Sequence, residues 1–69
     1  IILQEQDLES YALLKGVNET VDLSYALKKI GTTYLTNERQ FYVENYPGLI
    51  IEKAHIDDLM EYMIKGETV

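Results

Sequence analysis

The sequence predicts a small α+β domain with the element order α-α-β-β-β-α, in which an antiparallel hairpin and a third strand form a sheet packed on three helices. Two observations predict this class. Three segments repeat apolar residues at helical spacing, and each ends at a glycine. Between the second and third segments lie runs rich in β-branched and aromatic residues, which favour strands. We expect a single domain over residues 1–69, and Ile1 in place of a Met leaves open that it is part of a longer chain.

The first predicted helix covers residues 4–16. Leu8, Tyr11 and Leu14 place apolar groups along one broad face. Acidic residues occupy the first turns, where the helix dipole favours anions. Gly16 is placed to end the helix.

The second predicted helix covers residues 22–31. Its apolar residues follow the spacing i, i+3, i+4, i+7, beginning at Leu23. Asp22 is a suitable N-cap, and Gly31 suits the position that follows a helix. Asn18 is an alternative start, which would lengthen this helix by one turn.

Residues 32–46 allow two interpretations. The runs TTYLT and QFYVE read as strands joined by a short loop, NER. The alternative is a helix over 37–46 that is capped by Thr36 and ended by Pro47 and Gly48. We favour the hairpin because Thr-Thr-Tyr and Phe-Tyr-Val have poor helix propensity.

The last third of the chain predicts a turn, a strand and a helix. The turn is YPG at 46–48, since Pro fixes φ and Gly accepts a positive φ. LIIEK at 49–53 reads as a short strand. Residues 55–65 carry a continuous apolar stripe, with acidic residues in the first turn and Lys65 in the last, and Gly66 ends this third helix.

The charge of the chain bears on its partners. Twelve acidic residues against six basic ones give a formal net charge of −6. Such a surface repels phosphate backbones and anionic membranes, and it suits a basic protein partner or simply solubility. No apolar run reaches the length of a membrane span, and no signal-peptide core is present. Because cysteine is absent as well, we expect a cytoplasmic protein without a membrane partner.

Catalytic signatures are absent from the sequence. It has no Cys, a single His and no glycine-rich phosphate loop. Glu52 and His55 form one E-x-x-H pair, whereas di-iron bundles need two such pairs and two further Glu residues. We therefore expect no enzyme activity, no cofactor and no metal.

One stretch resembles a DNA-binding motif. Ala12 to Gly31, ALLKGVNETVDLSYALKKIG, resembles a helix-turn-helix, and the predicted hairpin, strand and final helix resemble the way small winged, excisionase-like domains close. The resemblance implies phosphate contacts from Lys28, Lys29 and Arg39. However, the N-terminal end of the would-be recognition helix is acidic, which disfavours DNA.

Tyrosine is unusually frequent, with six residues in 69. Because tyrosine combines an apolar ring with a polar tip, it is favoured at protein interfaces. We expect Tyr34, Tyr42 and Tyr46 to be partly exposed and, with Ile50, to form such an interface. The sequence thus predicts a non-catalytic protein interaction or regulatory domain that self-associates into a homo-oligomer, with a dimer as the simplest case. The alternatives are a small DNA-binding regulator and an acidic inhibitor that mimics nucleic acid.

Overall fold

The computed structural model describes residues 5–69. Its elements are, in chain order, a 3₁₀ helix (Glu5–Ser10), β1 (Ala12–Lys15), β2 (Ala26–Ile30), β3 (Thr33–Thr36), α1 (Arg39–Asn45), β4 (Ile50–Lys53), α2 (Ile56–Lys65) and β5 (Glu67–Thr68). The chain is a small α+β domain in which residues 5–69 form one five-stranded antiparallel sheet and two α-helices.

The strands lie in the order β4-β1-β3-β2-β5, and every neighbouring pair is antiparallel. Ala12 at the start of β1 pairs with Lys53 of β4 on one side and with Thr36 of β3 on the other. At the far side, Lys28 of β2 pairs with Thr68 of β5. The two outermost strands are therefore the ones that flank α2 in the sequence.

The β2–β3 hairpin turns through two residues. Ile30 pairs with Thr33, which leaves Gly31 and Thr32 as the loop. Gly31 has a φ of 61°, whereas no non-glycine residue within 5–69 has a positive φ. A single positive φ at the first loop position is the requirement of a type II′ turn, which glycine meets without steric cost.

Side chains are buried on both faces of the sheet. Because side chains alternate along a strand, Leu13 faces one side, and Ala12 and Leu14 face the other. All three are buried. Leu13 joins one core cluster with α2, whose buried members are Leu13, Leu35, Ala54, Leu59 and Tyr62. Thr36 shares the face of Ala12, and its Oγ1 accepts the N–H of Glu38 just before α1, which places α1 on the opposite face. This helix lies beside β4 and the 3₁₀ helix.

The predicted arrangement of three helices on a three-stranded sheet is wrong. Residues 5–16 of the first predicted helix form a 3₁₀ helix and β1, and Gln4 lies outside the described residues. The second predicted helix, 22–31, contains β2. The physical reason for the first error is that a short apolar run buried on both sides has the same composition in a strand and in a helix.

The preferred hairpin over 32–46 is also wrong in its second half. TTYLT contains β3, but QFYVE belongs to α1, so the alternative helix over 37–46 was the better interpretation. The helix-turn-helix resemblance of Ala12–Gly31 fails as well, because β1 and β2 occupy the positions of its two helices. The strand in 49–53 and the helix in 55–65 are present, as β4 and α2.

Candidate functional site

Helix α2 is fixed at both ends by local hydrogen bonds. At its N-terminus, the backbone N–H of His55 donates to Oδ2 of Asp58 at 3.0 Å. Asp57 and Asp58 lie in the first turn and Lys65 lies in the last, which complements the helix dipole. The N–H of Gly66 donates to the carbonyl oxygen of Tyr62 at 2.8 Å and closes the helix.

Gly66 lets the end of α2 approach the sheet closely. A Cβ at this position would collide with the carbonyl oxygen of Tyr62. It would also lie 3.2 Å from the carbonyl oxygen of Lys29 and 3.1 Å from the Cβ of Lys28, both in β2. The close approach therefore requires a residue without a side chain.

The inner face of α2 is packed against the sheet. Leu59 and Tyr62 are buried there with Leu13 and Leu35. Burial there raises the pKa of Tyr62. The helix is thus held to the sheet by apolar contacts.

The outer face of α2 remains apolar and exposed. Its side chains, here called the outer stripe, are Ile56, Met60, Met63 and Ile64, and they are 46%, 58%, 47% and 77% exposed. The positions i, i+4, i+7 and i+8 place all four on one side of the helix. A shallow depression of about 260 Å³ is lined by Leu59, Met60, Met63 and Ile64. The stripe and the depression form one continuous apolar surface.

The concentration of exposed apolar side chains on α2 sets this surface apart. Of the eight large hydrophobic residues that are exposed over residues 8–69, four belong to the outer stripe. Single exposed apolar residues are normal on any protein, whereas a contiguous apolar patch marks a contact site. We therefore take the outer stripe as the candidate functional site.

Charged residues border the outer stripe along one flank. Asp57, Glu61 and Lys65 follow one another at intervals of four residues, so they share one side of the helix. Nζ of Lys65 lies 4.0 Å from Oε2 of Glu61, and both side chains are largely exposed. An exposed pair at this distance stabilises the helix by only a few tenths of a kcal/mol, roughly. The flank therefore runs from acidic to basic along the helix.

The predicted tyrosine interface is distributed over the molecule. Tyr42 is completely buried, so the expectation that it is partly exposed is wrong. Tyr34 and Tyr46 are half-buried, and Ile50 is exposed on the edge strand β4. Tyr34 pairs with Leu14, whereas Ile50 pairs with Lys15, so their side chains point to opposite faces of the sheet. The structure does not bring these four residues together, and their role in binding stays a prediction.

Tyr42 and Tyr46 instead take part in an aromatic cluster with Tyr25 and Phe41. The ring centroids of Tyr25 and Phe41 are 4.7 Å apart, and those of Phe41 and Tyr42 are 5.1 Å apart. The Tyr42 hydroxyl donates to the carbonyl oxygen of Asp22, and the N–H of Asp22 donates to the Tyr46 hydroxyl at 3.0 Å. The cluster therefore fastens the loop between β1 and β2 onto α1.

The residues of the DNA-binding alternative are likewise separated. Lys28 and Lys29 are consecutive in β2, so they point to opposite faces of the sheet. Nζ of Lys28 donates to Oγ1 of Thr68 at 3.4 Å. Nη1 of Arg39 donates to the carbonyl oxygen of Glu9 at 3.5 Å. No common basic surface follows from these positions.

Glu52 and His55 are not on one helical face. Glu52 lies in β4, and its Oε1 pairs with Nζ of Lys15 at 2.8 Å, whereas His55 is the N-cap of α2. The hydrogen bond to Glu52 raises the pKa of Lys15. This ion pair ties the edge strand β4 to β1.

A second depression lies between the loop that follows β1 and the loop that follows α1. It has a volume of about 350 Å³, and its lining includes Asn18, Tyr46 and Leu49. Oδ1 of Asn18 already accepts the N–H of Thr20 at 2.9 Å and its hydroxyl at 2.5 Å. The described residues that line this depression include no charged side chain, and thus no anchor for an ionic ligand.

No protein-family model, curated protein or solved structure matches this chain. Within residues 5–69, no cluster of three or more His, Asp or Glu side chains is suited to hold a metal ion. No helix in that part of the chain is long and apolar enough to cross a membrane. Among the described residues, the candidate site therefore rests on the exposed apolar surface of the outer stripe.

The sequence did contain a signal for this surface. Residues 56–64 of α2 include five aliphatic residues and Tyr62, distributed over more than half of the helix circumference. A helix that lies on a sheet buries only one side, so part of so wide a stripe must stay exposed. The interface was predicted from tyrosine frequency instead, which pointed to the aromatic cluster.

Proposed function

We propose that the protein is a non-catalytic protein–protein interaction domain that self-associates, and that the outer stripe on α2 is its docking surface. The observation that supports this most directly is the exposure of Ile56, Met60, Met63 and Ile64 on one side of a helix whose other side is packed. Burying such a patch against a matching patch removes apolar area from water, which is the main driving force of association.

The size of the patch suggests a weak and reversible complex. Burying the exposed part of one such side chain gains on the order of 1 kcal/mol. Two copies contribute eight side chains, or about 8 kcal/mol, against an association cost of at least about 4 kcal/mol. The balance of at most about 4 kcal/mol corresponds to a dissociation constant of about 1 mM or weaker. Occupancy of the dimer then depends on the local concentration of the chain.

The experiment is a substitution of Met60 by Glu with a matched control. Met60→Glu places a charge in the middle of the outer stripe, and we expect it to abolish association. Val43→Glu is the control, because Val43 is similarly exposed but lies on α1. Sedimentation equilibrium from about 100 µM to about 5 mM brackets a dissociation constant of about 1 mM. A wild-type protein that stays monomeric throughout, or a Met60→Glu variant that still associates, would contradict the proposal.

The alternatives remain predictions without a specific observation in their favour. A DNA-binding regulator would need Lys28, Lys29 and Arg39 on one surface, and their positions do not provide it. An acidic inhibitor that mimics nucleic acid would need its carboxylates to cluster on one face. A cytoplasmic localisation also stays a prediction.

A further inference from the structure

We infer that the second copy docks in the antiparallel direction, with Asp57 of each α2 beside Lys65 of the other copy. This inference rests on the proposed function, because it specifies the partner and the geometry at the outer stripe. It follows from the distribution of charge along α2, which is acidic at the N-terminal end and basic at the C-terminal end.

The charged flank has the spacing that a two-fold axis requires. Asp57, Glu61 and Lys65 lie on the same side of the outer stripe. A two-fold axis perpendicular to the helix, near its midpoint, places this flank against its own reversed copy. Asp57 of one chain then faces Lys65 of the other, and Glu61 faces Glu61. Because the operation is symmetric, each Asp57–Lys65 contact forms twice.

The apolar residues follow the same symmetry. Met60 lies near the middle of the outer stripe, and Ile56 and Ile64 lie one helical turn before and after it. Reversal about Met60 therefore places Ile56 of one copy against Ile64 of the other. The two methionines meet at the axis, where their flexible side chains adapt to the contact. The axis positions that suit the apolar and the charged residues, at Met60 and at Glu61, differ by one residue, or about 1.5 Å along the helix.

The parallel arrangement lacks this complementarity. It would bring the two N-terminal helix ends together, each with a positive dipole end and with Asp57 and Asp58 in the first turn. The two Lys65 side chains would lie at the other end. Like charges would then be gathered at both ends of the contact, which disfavours it relative to the antiparallel arrangement.

Glu61 provides a second test of the antiparallel arrangement. In the antiparallel pair the two Glu61 side chains approach each other near the axis, where only the 4.0 Å contact with Lys65 of the same chain offsets their charge. Glu61→Gln removes the repulsion and keeps the shape of the side chain. We expect this variant to associate about threefold more tightly than the wild type.

The decisive experiment exchanges the two charges. Asp57→Lys and Lys65→Glu each place like charges at both symmetric contacts, so we expect each single variant to weaken the dimer about tenfold. The double variant Asp57→Lys/Lys65→Glu restores opposite charges in an antiparallel pair, so its dissociation constant should return to within about threefold of the wild type. Sedimentation equilibrium measures all three constants, and circular dichroism confirms that the helix content is retained.

Matched controls separate the local contact from net charge. Glu19→Lys changes the net charge as Asp57→Lys does, and Lys53→Glu changes it as Lys65→Glu does. Both residues are exposed and neither belongs to α2. Neither control should weaken the dimer as the α2 variants do.

The outcomes separate the inference from the proposed function. Weaker single variants with a restored double variant, and a tighter Glu61→Gln variant, would support the antiparallel pair. If the double variant stays weak, or if Glu61→Gln does not tighten the dimer, the inferred geometry is wrong while Met60→Glu still tests the surface. If the wild type does not associate at all, both are overturned.

Discussion

Helices α1 and α2 lie on opposite faces of the same sheet. They differ in how much of their apolar surface is buried in the domain. On the α1 side, Tyr42 is fully buried, and the polar tips of Tyr42 and Tyr46 are hydrogen-bonded to the backbone of Asp22. On the α2 side, the inner residues are packed, but the outer stripe meets solvent. Substitutions near α1 should therefore act mainly on folding, and substitutions on the outer stripe should act mainly on association.

The largest expected difference between the two sides comes from truncation to alanine. Tyr42→Ala removes a fully buried ring from the aromatic cluster, and we expect it to lower the free energy of unfolding by about 3–5 kcal/mol. Met60→Ala, on the exposed side of α2, should change it by less than about 0.5 kcal/mol. Urea denaturation measures both at a concentration where the chain is monomeric. Equal losses in the two variants would remove the contrast between the helices.

A smaller effect is expected where α2 meets the sheet. Gly66→Ala introduces a Cβ that collides with the carbonyl oxygen of Tyr62 and crowds Lys29, so we expect a loss of about 1–3 kcal/mol. Gly48→Ala is the matched control, since a Cβ there meets no atom within 4 Å.

The Gly66→Ala substitution also tests how rigidly the outer stripe is held. If the collision shifts α2, the variant should associate more weakly although the outer stripe is unchanged. Thermal unfolding and sedimentation of the same sample provide both measurements. Unchanged stability would show that the end of α2 adjusts freely.

The smallest effect is expected at alkaline pH. Burial raises the pKa of Tyr42 above its ordinary value of 10.0, and burial does the same for Tyr62. Above pH 10 the unfolded chain loses these protons while the folded chain retains them, so the free energy of unfolding falls as the pH rises. Lys15 adds to the loss, because the pairing with Glu52 raises its pKa.

The tyrosine contribution can be isolated by substitution. Tyr42→Phe keeps the ring but removes the titrating group, so the fall in stability between about pH 9 and about pH 11 should be shallower than in the wild type. The variant should also be less stable at neutral pH by roughly 1 kcal/mol, because the hydrogen bond to Asp22 is lost. An identical pH profile in both proteins would assign the alkaline loss to other groups.

Some elements of the fold could be predicted from the sequence and others could not. The helix at α2 was predictable because its stripe is long and ends at Gly66. The strand β2 was not, since Ala26, Leu27 and Ile30 also fit a helical spacing. The loop Gly31–Thr32 between Ile30 and Thr33 is the turn signal that identifies this hairpin, although Gly31 alone also fits the position that follows a helix.

The site depended on tertiary information that no local pattern supplies. Helix α1 was predictable as an alternative, but its N-cap is Glu38 and not Thr36. Thr36 lies two residues before the cap, where its Oγ1 accepts the N–H of Glu38 and donates to the carbonyl oxygen of Tyr25. That Tyr42 would be buried and Met60 exposed depends on which side of each helix meets the sheet. From composition alone, either helix could carry the exposed apolar surface.

The order of the strands determines when the outer stripe is held in place during folding. The β2–β3 hairpin closes over two residues, but Ala12 pairs with Lys53 and Lys28 pairs with Thr68, so both outer pairs join residues about forty positions apart. Such distant pairings form late, because the chain entropy of a long loop must be lost first. Helix α2 connects these two late strands, so a newly synthesised chain holds the outer stripe in place only when the residues up to Thr68 have been released and paired.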